Sequence, residues 1–168
     1  ARRLHQRRGG DGPHHALGDV VLDKVAADAP ALLAASDGES LSINVNISAA
    51  QLREPPFIAS VARTVSAMRG TSLVLEITER QGVDLDDGIL EAMRAIESMG
   101  VVFAIDDFGV GFSSISYLHD LPAQIIKADA ALSEDIDEDP RSRALLRSVV
   151  LMGRSLGFGV VVEGIERE

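Results

Sequence analysis

The amino-acid sequence predicts an α/β fold, a (β/α)8 barrel of the TIM type that is incomplete over the 168 residues of the chain. Three observations predict it. Helix-like and strand-like segments alternate from about Leu17 onward, as they do when helices connect the strands of a parallel sheet. Polar residues fall at or near the carboxyl ends of the predicted strands, the rim on which such a barrel builds its active site. Their spacing is regular. Asn46 to Glu76 and Glu76 to Asp106 are each 30 residues, close to the roughly 31 per unit of an eight-unit barrel of about 250 residues.

The elements follow in order. A first helix is expected over 19–35, opened by Val20, Val21, Lys24 and Val25, with Gly38 after its end. Leu41 to Val45 reads as a short buried strand. In Ser48-Ala49-Ala50-Gln51 a serine precedes a glutamine by three positions, so Ser48 can cap a helix while Gln51 returns the hydrogen bond. Pro55-Pro56 delays that helix, which extends from about Pro56 to Met68 before Gly70. Leu73 to Ile77 is a strand, and Ile89, Met93 and Ile96 mark one face of the next helix, closed by Gly100. Val101 to Ile105 is continuously apolar, as expected of a strand covered on both faces. A glycine-containing loop, a short helix over 113–119 and a strand from Gln124 to Ala128 come next. Leu145, Val149, Met152 and Leu156 form the last helical stripe, Gly157 ends it, and Gly159 to Val162 is the fifth strand.

Composition narrows the function. With 46% hydrophobic and 25% charged residues the chain suits one domain with a substantial core. No apolar run approaches the roughly 20 residues that cross a bilayer, and the start lacks a signal peptide's apolar segment. A cytoplasmic protein without direct membrane insertion is the expectation. The absence of cysteine excludes disulfides, thiolate zinc sites and cysteine nucleophiles, so a metal must sit on oxygen or imidazole. A net charge of -10 opposes binding to DNA or RNA polymers. It still allows a small anionic substrate if divalent cations reverse the sign locally. Residues 1–15, basic and then glycine-rich, are expected as a mobile N-terminal segment, and 16–168 as the partial barrel domain.

Asp106-Asp107 ends the apolar run Val101-Val102-Phe103-Ala104-Ile105. Adjacent carboxylates raise each other's pKa unless cations lie between them. A lone pair of this kind reads as an Asx turn or helix cap; four further polar rim residues reverse that preference. Glu76 interrupts Leu73-Val74-Leu75-Glu76-Ile77, where an ionised carboxylate needs a metal or a buried base as partner. Asn46 alone reads as a turn residue, yet its oxygen would suit magnesium, manganese or calcium. Lys127 either pairs with a carboxylate such as Asp129 or orients a water or phosphate oxygen. Glu163 has the position of a strand-end ligand, Glu79 reads as exposed or as a loop anchor, and Glu166 could tie down a neighbouring loop. The four histidines point to no zinc site. The acidic run Ser133 to Asp139 lacks the glycine and spacing of a calcium loop and reads as a solvated start to a helix. Gly109-Val110-Gly111 is by itself a weak phosphate-loop signal.

Five segments, in order, carry a family resemblance: Asn46-Ile47-Ser48-Ala49, Leu75-Glu76-Ile77-Thr78-Glu79, Asp106-Asp107-Phe108-Gly109-Val110-Gly111-Phe112-Ser113-Ser114, Ile126-Lys127-Ala128-Asp129 and Val162-Glu163-Gly164-Ile165-Glu166. From about Ala16 to its end the chain resembles the EAL family of bacterial cyclic di-GMP phosphodiesterases. The resemblance implies an EAL-variant barrel with two magnesium or manganese ions, held by Asn46, Glu76, Asp106, Asp107 and Glu163, with Asp106 between them. It implies catalytic roles for Asp106, Asp107, Glu163 and Lys127, the last beside the attacking water. Glu79 and Glu166 match residues that support the loop after Asp107, associated in the family with substrate binding and dimerisation. Cyclic di-GMP as substrate, a homodimer, and a sensory or diguanylate-cyclase-like domain in the full-length protein are further implications.

The chain also departs from the family pattern. The Glu-Ala-Leu tripeptide and the C-terminal glutamine motif are absent, and Val110 stands where the family has threonine. Five strands cannot close an eight-stranded barrel, so further residues or a partner chain are expected to complete it. Two alternatives follow: an EAL-like receptor or regulatory module without turnover, and another metal-assisted barrel enzyme such as a hydrolase or enolising lyase.

Overall fold

The structure is a computed structural model that describes residues 13–36, 39–68, 70–83, 85–111 and 115–165. Five strands, β1 (Leu41–Asn46), β2 (Thr71–Thr78), β3 (Val102–Phe108), β4 (Ile125–Ala128) and β5 (Gly159–Val162), form one sheet in sequence order. Every neighbouring pair is parallel. A doubly wound sheet reverses its strand order at a switch point, whereas a barrel wall does not. The sheet is therefore a partial barrel.

Helix α1 (Pro13–Ala35) precedes β1, and α2 (Pro55–Ala67) joins β1 to β2. The short α3 (Glu79–Val83) and then α4 (Asp87–Glu97) join β2 to β3, and α5 (Pro140–Ser155) joins β4 to β5. Local chemistry sets these bounds. Asp86 caps α4 by accepting from the Ile89 amide at 3.1 Å, satisfying one of the free donors of the first turn. Gly100, at φ +91°, supplies the left-handed residue beyond the helix end. Asp139 caps α5 through the Arg141 amide at 2.9 Å, and Pro140 opens the helix. The acidic run thus ends as the start of a helix.

The core lies between the helices and one face of the sheet. Leu73, Leu75 and Ile77 of β2, Phe103 and Ile105 of β3, and Ile126 of β4 are buried with Leu52, Phe57, Val61, Met93 and Ile96. On α2, Phe57, Ser60, Val61 and Thr64 share the buried face. Both hydroxyls reach α1: Ser60 Oγ donates to Asp19 Oδ1 at 2.5 Å, and Thr64 Oγ1, 3.0 Å from the Ser60 carbonyl of its own helix, lies 3.3 Å from the Leu22 carbonyl. Alternation along each strand leaves Asn44, Asn46, Glu76, Asp106 and Lys127 for the opposite face or the rim.

Several expectations change. Helix α1 begins at Pro13, so residues 13–15 of the expected mobile segment are helical, while 1–12 lie outside the described residues. Proline presets the first helical φ and gives up an amide that no intrahelical carbonyl would accept. At Gly18 a Cβ would run into the Gln51 side chain, so the glycine allows α1 to approach that turn closely. The capping box forms by half: Gln51 Oε1 accepts from the Ser48 amide at 2.8 Å and from its hydroxyl at 3.1 Å. The segment closes as a single 3-10 turn, Gln51–Arg53. The expected helix over 113–119 is a 3-10 turn at Ile115–His119, with 112–114 outside the described residues. Of the last apolar stripe, Val149 and Met152 pack against the core, but Leu145 and Leu156 are exposed. No described helix is long and apolar enough to cross a membrane.

Candidate active site

Three central strands bring the charged groups together. Glu76 is carried by the most buried strand, β2, and is 4% exposed. Next to it, β3 pairs regularly with β4 as far as Ile105↔Ile126, and pairing resumes at Phe108↔Ala128. Two residues of β3, Asp106 and Asp107, therefore stand opposite the single residue Lys127. This is a β-bulge, within which Asp107 takes a positive φ of 55°. Aspartate tolerates the left-handed region better than most side chains do. The bulge carries the strand to Phe108, where sequence had ended it at Ile105. It also breaks the alternation that would send adjacent side chains to opposite faces.

The ammonium of Lys127 is the meeting point. Its Nζ lies 2.8 Å from Asp106 Oδ1, 2.8 Å from Glu163 Oε1 and 3.2 Å from Glu76 Oε2. The Lys127 side chain is 15% exposed, against 4% for Glu76, 14% for Asp106 and 35% for Glu163. Burial acts to lower the Lys127 pKa, but hydrogen bonds to Asp106, Glu163 and Glu76 outweigh it and push it upward. The lysine thus keeps its proton through the neutral range and serves as a fixed positive charge. The pKa of Asp107 is raised, first by partial desolvation of a side chain that remains largely exposed and then by Asp106, Asp129 and Glu163, with Lys127 opposing. Its carboxylate thus lies within the field of the same cluster.

The remaining residues surround this centre. Glu163 follows β5, its amide donating to the Ala128 carbonyl at 3.0 Å and its carbonyl accepting from Ser133 Oγ at 2.8 Å. Asn46 ends β1 as the register partner of Glu76, exposed on the margin of the sheet. Glu79 is 5% exposed, which discards the exposed reading, and its Oε2 accepts from the Gly109 amide at 2.9 Å. A Cβ on Gly111 would stand 3.3 Å from the Glu79 carboxyl group, so loop and anchor are in close contact. A cleft of about 330 Å³ opens here, lined by Thr78, Glu79, Arg80, Asp107, Val110 and Gly111. Glu166 lies outside the described residues.

Sequence reasoning missed Asn44, whose Nδ2 donates to Glu76 Oε1 at 2.6 Å. Its signal was available: it stands two residues before Asn46 in a strand and so shares its face. Among the described residues no three His, Cys, Asp or Glu side chains form a ready metal cage. Their oxygens surround Lys127 Nζ instead. Three carboxylates from separate strands converging on one cationic atom are the donor set that suits a hard divalent cation, so the residues fit such an ion.

Comparison with known proteins identifies the family. The EAL domain family matches residues 10–168. The chain belongs to the EAL-domain family. It is 34% identical over 152 residues to the probable cyclic di-GMP phosphodiesterase PdeG of Escherichia coli, covering 89% of this chain and 30% of that protein. It is 32% identical to the bifunctional diguanylate cyclase/cyclic di-GMP phosphodiesterase MucR of Pseudomonas aeruginosa, over 90% of this chain and 22% of MucR. The chain thus spans less than a third of either relative. Among solved EAL structures, the PaMucR phosphodiesterase in complex with c-di-GMP superposes with a TM-score of 0.77 at 31% identity, covering 91% of this chain and 62% of that one. The EAL domain of Mycobacterium smegmatis DcpA gives 0.76 at 30%, covering 90% and 69%. The TIM-like EAL barrel expected from sequence is therefore the fold, present here as five consecutive strands of its wall.

Proposed function

We propose that this EAL domain hydrolyses one phosphodiester bond of cyclic di-GMP to give the linear dinucleotide, using two magnesium or manganese ions. The convergence of Asp106, Glu163 and Glu76 on the Lys127 ammonium is the observation that carries this reading. Asn46, Glu76, Asp106, Asp107 and Glu163 would hold the ions. When bound, the ions would neutralise phosphate charge and acidify a water at neutral pH. Lys127, protonated where it meets the three carboxylates, would donate hydrogen bonds to the water or a phosphate oxygen. Glu79 holds the backbone at Gly109 and with it the wall of the cleft beside Asp107. Arg80 lines that cleft and offers a guanidinium to a phosphodiester. Support comes from family membership, from relatives named as cyclic di-GMP phosphodiesterases, and from a neighbour solved with c-di-GMP.

A cytoplasmic homodimer within a multidomain signalling protein completes the proposal. The bifunctional relative supports the multidomain signalling context. The second reading is an EAL-like receptor or regulatory module that binds cyclic di-GMP without turnover. One assay decides between them: incubation with cyclic di-GMP and magnesium or manganese, followed by chromatography for the linear product. Turnover that disappears in Asp106→Asn, with the melting curve little changed, is the expected result. Binding without product would establish the receptor, and full activity in Asp106→Asn would remove Asp106 from the mechanism.

A further inference from the structure

The two oxygens of Glu76 are held in different ways. Oε2 makes the longest of the three contacts to Lys127, 3.2 Å, to an ammonium shared with carboxylates at 2.8 Å. Oε1 has a separate donor, Asn44 Nδ2, at 2.6 Å. An ionised carboxylate only accepts hydrogen bonds, so the amide must present its nitrogen and the orientation of Asn44 is fixed. Asn44 pairs in register with Val74, and Asn46 with Glu76, so the bond runs diagonally from β1 to β2. An arriving divalent cation competes with the ammonium at Oε2 because both are positive. It does not compete with a neutral amide at Oε1.

We infer that Asn44 is a positioning residue: by fixing Oε1 it sets the rotation of the Glu76 carboxylate and keeps Oε2 directed at the centre shared by Asp106, Lys127 and Glu163. This rests on reading that centre as a cation site. Partners that orient a ligating group without touching the metal typically change its affinity by about 10- to 100-fold when removed. Asn44 lies on a marginal strand, but its loss takes a donor from the buried Glu76 carboxylate, so a modestly lower melting temperature is expected with the fold retained.

Calorimetric titration of manganese chloride into the intact chain tests this, using wild type, Asn44→Leu, Asn44→Gln, Glu76→Gln and the double variant Asn44→Leu/Glu76→Gln. Asn44→Leu is expected to weaken manganese binding about 10-fold while the metal-free protein stays folded at the temperature of the titration. Asn44→Gln, which retains an amide donor, should recover part of the loss. In the Glu76→Gln background Asn44→Leu should add nothing, because an effect exerted through Glu76 disappears with its carboxylate. Wild-type affinity in Asn44→Leu, or the same loss in both backgrounds, would overturn the inference and leave the cation site standing. If wild type takes up no manganese, the cation reading and the inference fall together.

Discussion

The centre of the sheet and its margins are built differently. In β2, five consecutive residues from Leu73 to Ile77 are buried, whereas β1 buries Val45 alone and β5 has no fully buried residue. The acidic site spans this contrast. Glu76, Asp106 and Lys127 stand on the three central strands, while Asn46 and Glu163 sit at the ends of the marginal ones. The centre therefore supplies fixed charge in a low-dielectric setting, where pairing is strong and unpaired charge is costly. Of the marginal groups, Glu163 reaches the same centre from a half-exposed position. A site built this way has one rigid half and one adaptable half.

The largest test of the comparison lies in packing. Phe103→Ala, at a fully buried position of β3, should cost about 3 to 5 kcal/mol in denaturant unfolding. Val161→Ala on β5, where the side chain is 47% exposed, should cost less than about 1 kcal/mol. Similar losses at both positions would mean that the margins are as firmly packed as the centre. Charge comes next. Lys127→Met leaves Glu76, Asp106 and Glu163 without their shared ammonium and should destabilise the metal-free protein by about 2 to 3 kcal/mol. That lies at or below the low end for breaking a buried pair because Glu163 is 35% exposed. Added manganese should recover much of the loss in a thermal melt; no recovery would argue against cation binding at this centre.

Two smaller effects sharpen the boundary between the halves. Glu79→Gln removes a charge-assisted bond to the Gly109 amide and should cost about 1.5 kcal/mol, with faster hydrogen exchange at that amide. Unchanged exchange would show the loop to be held by other contacts. Asp107→Asn should be the mildest change. Asp107 has a raised pKa in the fold, so its ionised form costs stability above that value and the cost is relieved as pH falls through it. The variant should exceed wild type by about 0.5 kcal/mol or less near neutral pH, since the side chain is exposed. The gain should vanish in acid, and melts across pH will show whether it does.

The same contrast explains what sequence could reveal. Strands whose apolar residues run without interruption, such as 101–105, and helices with a clear stripe, such as Ile89, Met93 and Ile96, could be read because burial and periodicity coincide there. The stripe of α5 misled because periodicity reports a capacity for burial, and Leu145 and Leu156 found no cover. Helix α1 started early because nothing between Pro13 and Gly18 breaks a helix. At the site, the regular 30-residue spacing led to Glu76 and Asp106 but not to Asn44, whose polar neighbour Asn46 drew the reading. Spacing also left Lys127 with two readings, since three partners 51, 21 and 36 residues distant along the chain leave no local pattern.

The bulge in β3 has a mechanical consequence. Most pairs of groups in this site are separated by a strand spacing, and their distance changes whenever neighbouring strands slide or part. Asp106 and Asp107 are joined by one peptide unit, with Cα atoms about 3.8 Å apart whatever the sheet does. Thermal breathing of the barrel wall can loosen every cross-strand contact and still leave the backbones that carry these two carboxylates one peptide unit apart. Covalent geometry, more than tertiary packing, is their tether.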